Sequence, residues 1–102
     1  MSRKVIISKT AENKLSSLFE YLLENWSAKV KSNFIKKLDH NIDLIGSEPE
    51  TFPESQKDLG LRKCVITKQT TLYYRFDTKQ IKILTIFDTR QNPNTLKKDL
   101  QS

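Results

Sequence analysis

The sequence predicts a single α+β domain in the order β-α-α-β-β-β, an antiparallel sheet with a helical hairpin packed on one face. Three observations carry this reading. Two apolar runs, 71–76 and 81–87, flank the polar connection Asp77-Thr78-Lys79-Gln80 and read as an antiparallel hairpin. Two longer segments ahead of them repeat apolar residues with the helical period. A chain of 102 residues is enough for one modest core, so one domain spans 1–102, with 94–102 a polar tail.

Arg3 to Ser8 is a short strand candidate, with Val5 and Ile7 on one face, joining the sheet at an edge or beside the last strand. Thr10 is placed to cap the helix that follows. Leu15, Leu18, Phe19, Leu22, Leu23 and Trp26 form its apolar stripe and are expected in the core. Asn25-Trp26-Ser27 reads as a break, with Ser27 capping a second helix. That helix buries Val30, Phe34, Ile35, Leu38, Ile42 and Ile45 and is closed by Gly46. Its other faces are mixed in charge.

Ser47 to Ser55 is an acidic loop punctuated by Pro49 and Pro53, with Phe52 its expected anchor. Leu61 to Thr67 is a third strand, alternating Arg62, Cys64 and Ile66 with Lys63 and Val65. In the hairpin, Leu72, Tyr74 and Phe76 oppose Tyr73 and Arg75. In the last strand, Ile81, Ile83 and Phe87 alternate against Leu84 and Ile86, so both faces are apolar and the strand belongs inside the sheet. It ends at Asp88-Thr89-Arg90, ahead of a Pro93 that cannot continue a ladder.

Several function classes fall away. No apolar run approaches the roughly 18 residues of a membrane span, and the N-terminal run turns polar too soon for a signal peptide, so a cytoplasmic protein with no membrane partner is expected. One cysteine and one histidine leave no metal cluster, two glycines leave no phosphate loop, and no cofactor is expected. Cys64 reads as a small core hydrophobe and His40 as a surface residue.

Charge is the informative quantity. Residues 1–56 carry eight basic and eight acidic side chains, whereas 57–102 carry ten basic against four acidic, the entire excess of +6. A basic sheet half suggests a polyanion or an acidic protein, against the alternative of lysines that merely protect sheet edges. Arg62, Arg75 and Arg90 fall on three neighbouring strands, where a guanidinium suits phosphate, unless they pair with Asp58, Asp77 and Asp88. Tyr73 and Tyr74 are expected to pack in the sheet rather than stack a base.

This order, with the segments Leu61-Arg62, Leu72-Tyr73-Tyr74-Arg75-Phe76 and Ile81 to Arg90 followed by Pro93, resembles the RelE/ParE superfamily of bacterial toxins from the first strand to about Pro93. The resemblance implies the toxin of a type II toxin–antitoxin (plasmid stabilisation) module that inhibits growth and is held inactive by a protein antitoxin in a hetero-oligomer. RelE-like members cleave mRNA on the ribosome; ParE-like members poison DNA gyrase. Arg62 and Arg90 look like the superfamily's phosphate-binding arginines, but Asp88 stands where many members carry His, and no Tyr or His follows Arg90. A carboxylate repels the phosphate it would have to serve, so the reading leans to ParE.

Three expectations follow: a gyrase inhibitor; a ribosome-dependent endoribonuclease using Arg62, Arg90 and Asp88; or a non-toxic nucleic-acid-binding module. In each, Arg62, Lys63, Arg75, Lys82, Arg90, Lys97 and Lys98 are the residues expected to meet the target or polyanion. An acidic antitoxin would suit the groove between hairpin and sheet.

Overall fold

A computed structural model describes residues 3–55 and 60–89. Strand β1 (Lys4–Ile7) leads into helices α1 (Lys9–Asn25) and α2 (Ala28–Ser47), then a 3₁₀ turn over Pro49–Thr51. Strands β2 (Arg62–Val65), β3 (Thr70–Phe76) and β4 (Gln80–Asp88) complete the expected order. The sheet runs β1-β4-β3-β2; β2, β3 and β4 are antiparallel, and β1 lies parallel to β4 at the edge. A parallel neighbour cannot be reached by a tight turn, and here the connection from β1 to β4 runs through the α1–α2 hairpin and strands β2 and β3.

One side of the sheet is the main core. Ala11, Leu15, Leu18 and Leu22 of α1 and Phe34, Leu38 and Ile45 of α2 pack on Cys64, Leu72, Tyr74, Ile81, Ile83 and Ile86. On the other side, Leu61 and Tyr73 form a smaller cluster with Leu84 and Phe87. Phe52 anchors its loop as expected, its ring edge-on to Tyr74 at 6.4 Å. Buried Tyr74 donates its hydroxyl to the Pro49 carbonyl at 2.5 Å, and burial holds its phenol well above the usual value.

Strand β4 departs from simple alternation. Tyr73 faces Thr85 and Tyr74 faces Ile83, so Leu84 is an extra residue in the ladder, a β-bulge. The bulge flips the phase, putting Ile86 with Ile81 and Ile83 in the main core and Phe87 with Leu84 opposite, the reverse of the expected pairing. The bulge also decides where α1 starts. The Ser8 hydroxyl donates to the Leu84 carbonyl at 2.6 Å and accepts from Ala11 N at 3.0 Å. Ser8, not Thr10, is therefore the N-cap.

Two further expectations are corrected at helix ends. The buried stripe of α1 stops at Leu22; Leu23 is 48% and Trp26 64% exposed, because α1 ends at Asn25 and the chain turns away before Trp26 reaches the core. Gly46 lies within α2 rather than closing it; Glu48 is the C-cap, donating its N–H to Leu44 O. Ser27 caps α2 as expected, accepting from Val30 N at 3.1 Å. The expectations for the tail at 94–102 lie outside the described residues.

Candidate functional site

The strand alternation that buries Cys64 also turns Arg62 toward the helix side, where the loop after α2 meets it. Its Nη1 donates to the carbonyls of Glu50 (3.1 Å) and Phe52 (2.6 Å), and Nη2 lies 3.6 Å from the Glu54 carboxylate. Its guanidinium also sits 5.4 Å from the Phe76 ring centroid, and Arg3 approaches the same ring at 5.4 Å. Its acidic neighbour is Glu54 rather than Asp77 or Asp88, and Asp58 lies outside the described residues. Instead Asp77 Oδ1 accepts from Lys79 N and Gln80 N, each at 2.8 Å, and those two bonds hold its carboxyl below the usual value.

Asp88 lies at the end of β4, opposite Thr70, whose hydroxyl donates to it at 2.9 Å; it is 1% exposed. Cys64 is buried beside the Asn41 side-chain oxygen, and burial pushes its thiol from 9.0 up to about 11. His40 is exposed on α2, and Tyr73 and Tyr74 are both buried in the sheet.

The outer face of the sheet, away from the helices, gathers the remaining strand cations. Arg75 and Lys82 are direct partners across β3 and β4, and they line a hollow of about 200 Å³ with Phe76, Asp77 and Gln80. Lys63 shares that face through its pairing with Tyr73, and Lys4 through its pairing with Gln80. The structure thus brings Arg75, Lys82 and Lys63 to one face and sets Arg62 on the other. Arg90, Lys97 and Lys98 lie outside the described residues.

A second feature escaped the sequence reading. Trp26, Leu22, Val30 and Phe34, with Lys37 and with Thr67 and Gln69 from the β2–β3 turn, line an apolar groove of about 300 Å³. The available signal was the break at Asn25-Trp26-Ser27, since an aromatic side chain at a helix end need not face the core. Among the described residues no group of His, Cys, Asp and Glu is arranged to hold a metal, and no helix is long and apolar enough to cross a membrane.

Residues 5–93 match the family model for the ParE toxin of the parDE type II toxin–antitoxin system. The chain belongs to the ParE toxin family. None of the curated proteins compared matches it significantly. Solved structures share its fold at low identity. The chromosomal ParDE system of P. aeruginosa superposes with a TM-score of 0.72 at 11% identity, covering 85% of this chain and 96% of that one. The YoeB dimer of Staphylococcus aureus gives 0.63 at 17% identity (85% and 97% covered), and the E. coli DinJ-YafQ toxin–antitoxin complex 0.61 at 12% (88% and 96%). ParE membership and the shared α+β architecture account for the strand order.

Proposed function

We propose that this toxin acts in the cytoplasm on DNA gyrase, without catalysing a reaction, and is held inactive by a cognate protein antitoxin. The observation that carries the choice is the environment of Asp88. Cleavage through a ribose 2′-hydroxyl needs a proton acceptor within reach of the substrate, and Asp88 is buried and already bonded to Thr70. Arg62, the other described member of the expected nuclease set, is occupied by its own loop and by Glu54. Arg62 and Arg90, with Asp88, remain the residues a RelE-like ribonuclease would use. In the gyrase reading, Lys63, Arg75 and Lys82, with Arg90, Lys97 and Lys98, are the target-contacting set.

The antitoxin's place is supported by the Trp26 groove, whose apolar floor and Lys37 rim suit an acidic amphipathic segment. The test is purified full-length toxin in gyrase supercoiling and cleavage assays, alongside translated mRNA on ribosomes. Inhibited supercoiling with trapped cleaved DNA is expected. Untouched gyrase together with cuts inside codons would replace this reading with the nuclease.

A further inference from the structure

The two edges of the sheet are finished differently. Along β2 the loop after α2 supplies a pairing partner: Ser55 N donates to Leu61 O, Lys63 N donates to Pro53 O, and Glu54 bridges Arg62. Pro53, which has no N–H of its own, blunts that edge further. Along β1 such cover stops early. Lys4 N donates to Lys79 O and Ser8 N to Ile83 O, so Lys4, Ile6 and Ser8 turn their backbone groups to β4. Arg3, Val5 and Ile7 turn theirs to the open edge. The Gly46 carbonyl accepts from Arg3 N there at 3.0 Å, and among the described residues nothing meets the backbone groups of Val5 and Ile7. The strand carries no proline or bulge, and Ile7 is 40% exposed.

From this we infer that β1 is the docking edge for a second copy of this chain, paired antiparallel about a two-fold axis at Ile6. The open stretch is bounded by the chain itself: Gly46 takes Arg3, and α1 leaves the sheet at Lys9. Between those limits one register uses both free residues. Val5 lies opposite Ile7 of the second copy, and each such pair exchanges both backbone bonds. Ile6 lies opposite itself and Lys4 opposite Ser8, so apolar meets apolar and no like charges are opposed. A slip of one residue sets bonding residues against non-bonding ones, and a slip of two leaves a single bonded pair. Charge agrees with this choice of partner. The edge belongs to residues 1–56, which are neutral on balance, whereas the excess of +6 lies in 57–102.

The inference goes beyond the gyrase reading and does not depend on it. The sheet continues across the two-fold, so the outer faces of both copies lie side by side and present Lys63, Arg75 and Lys82 twice to a target. The Trp26 groove lies by the β2–β3 turn, away from this edge, and stays open to an antitoxin.

The test is sedimentation equilibrium of the full-length protein up to about 300 µM. A short edge pairing falls at the low end of interface size, so a dimer with Kd on the order of 10 µM is expected. Ile6→Lys and Ile6→Glu each set like charges face to face at the two-fold and weaken it roughly tenfold or more. An equimolar mixture of the two regains the dimer, because lysine then meets glutamate. Ile7→Pro removes one outward N–H from each copy without touching the β4 ladder and weakens the dimer about tenfold. Val65→Lys, on the far edge, leaves it unchanged. Ile6 is half-buried, so circular dichroism confirms the folds first, and exposed Ile7 carries the test if the Ile6 variants do not fold. A parent that stays monomeric, an Ile7→Pro or Ile6→Lys variant that dimerises as the parent does, or folded Ile6 variants that fail to pair when mixed would overturn the inference. A monomeric parent whose antitoxin capture is lost in Ile7→Pro would give the edge to the antitoxin and overturn it equally. None of these readouts involves gyrase, so either reading can fail alone.

Discussion

Arg62→Ala tests whether this arginine is mainly a structural clamp. Its two bonds to loop carbonyls are charge-assisted, and its side chain is 19% exposed, so each is discounted to roughly 1–1.5 kcal/mol. Stacking on Phe76 adds about 0.5 kcal/mol. The ion pair with half-exposed Glu54 adds little, about 0–0.5 kcal/mol. The loss is about 3 kcal/mol, which in a domain of this size lowers Tm by roughly 12–24 °C. Arg62→Lys, which keeps the charge but not the fork, recovers less than half of the difference. Differential scanning calorimetry and urea unfolding read both variants. If Arg62→Ala melts within about 2 °C of the parent, the clamp is wrong and Arg62 is available to a target. If Arg62→Lys restores stability fully, charge rather than fork geometry holds the loop.

Three other outcomes follow from the structure. Because burial raises the Cys64 thiol from 9.0 to about 11, the unfolded chain loses that proton first as pH rises. Stability present below pH 9 is therefore lost between pH 9 and 11, by up to about 3 kcal/mol, and Cys64→Ala should flatten this part of the urea-unfolding profile; an unchanged profile counts against it. A Cβ at Gly46 meets Val5 at an ordinary 3.7 Å, whereas Gly60 has a positive φ and Arg75 at 3.2 Å. Gly46→Ala should thus stabilise by up to about 1 kcal/mol and Gly60→Ala destabilise by about 1–2 kcal/mol, and the same sign for both in thermal melts would refute the contrast. Trp26→Ser should leave Tm within about 3 °C, since the ring is largely exposed, yet weaken antitoxin capture at least tenfold by calorimetry. Undiminished capture would move the antitoxin elsewhere.

Local signals in the sequence were reliable where one residue's environment is set by its neighbours. The β3–β4 hairpin, the Ser27 cap and the inward turn of Cys64 and Ile66 all followed from short-range pattern. The misses share a long-range cause. The Leu84 bulge reverses the faces of Ile86 and Phe87, yet nothing within β4 announces an extra residue. Ser8 and Thr10 are equally good caps in isolation; a carbonyl 76 residues away decides between them. The partners of Arg62 belong to a loop held to the strand by backbone bonds from Lys63 N to Pro53 O and from Ser55 N to Leu61 O, and by Phe52 packing on Tyr74. Trp26 fitted the helical period and still faced outward, because periodicity says nothing about where a helix stops.

The parallel pairing of β1 with β4 has a consequence for synthesis. Lys4 is translated early, but its sheet partner Gln80 emerges 76 residues later, after both helices and two other strands. Until then the edge of β1 is unpaired, the Ser8 hydroxyl has no Leu84 carbonyl to meet, and α1 lacks the β4 residues it packs on. Pairing this distant in sequence requires a large loop to close before any contact rewards it. The β1 edge of the sheet is therefore completed late in synthesis. A toxin built this way stays unfinished through most of its own translation, which gives a binding partner a window to act before the fold is complete.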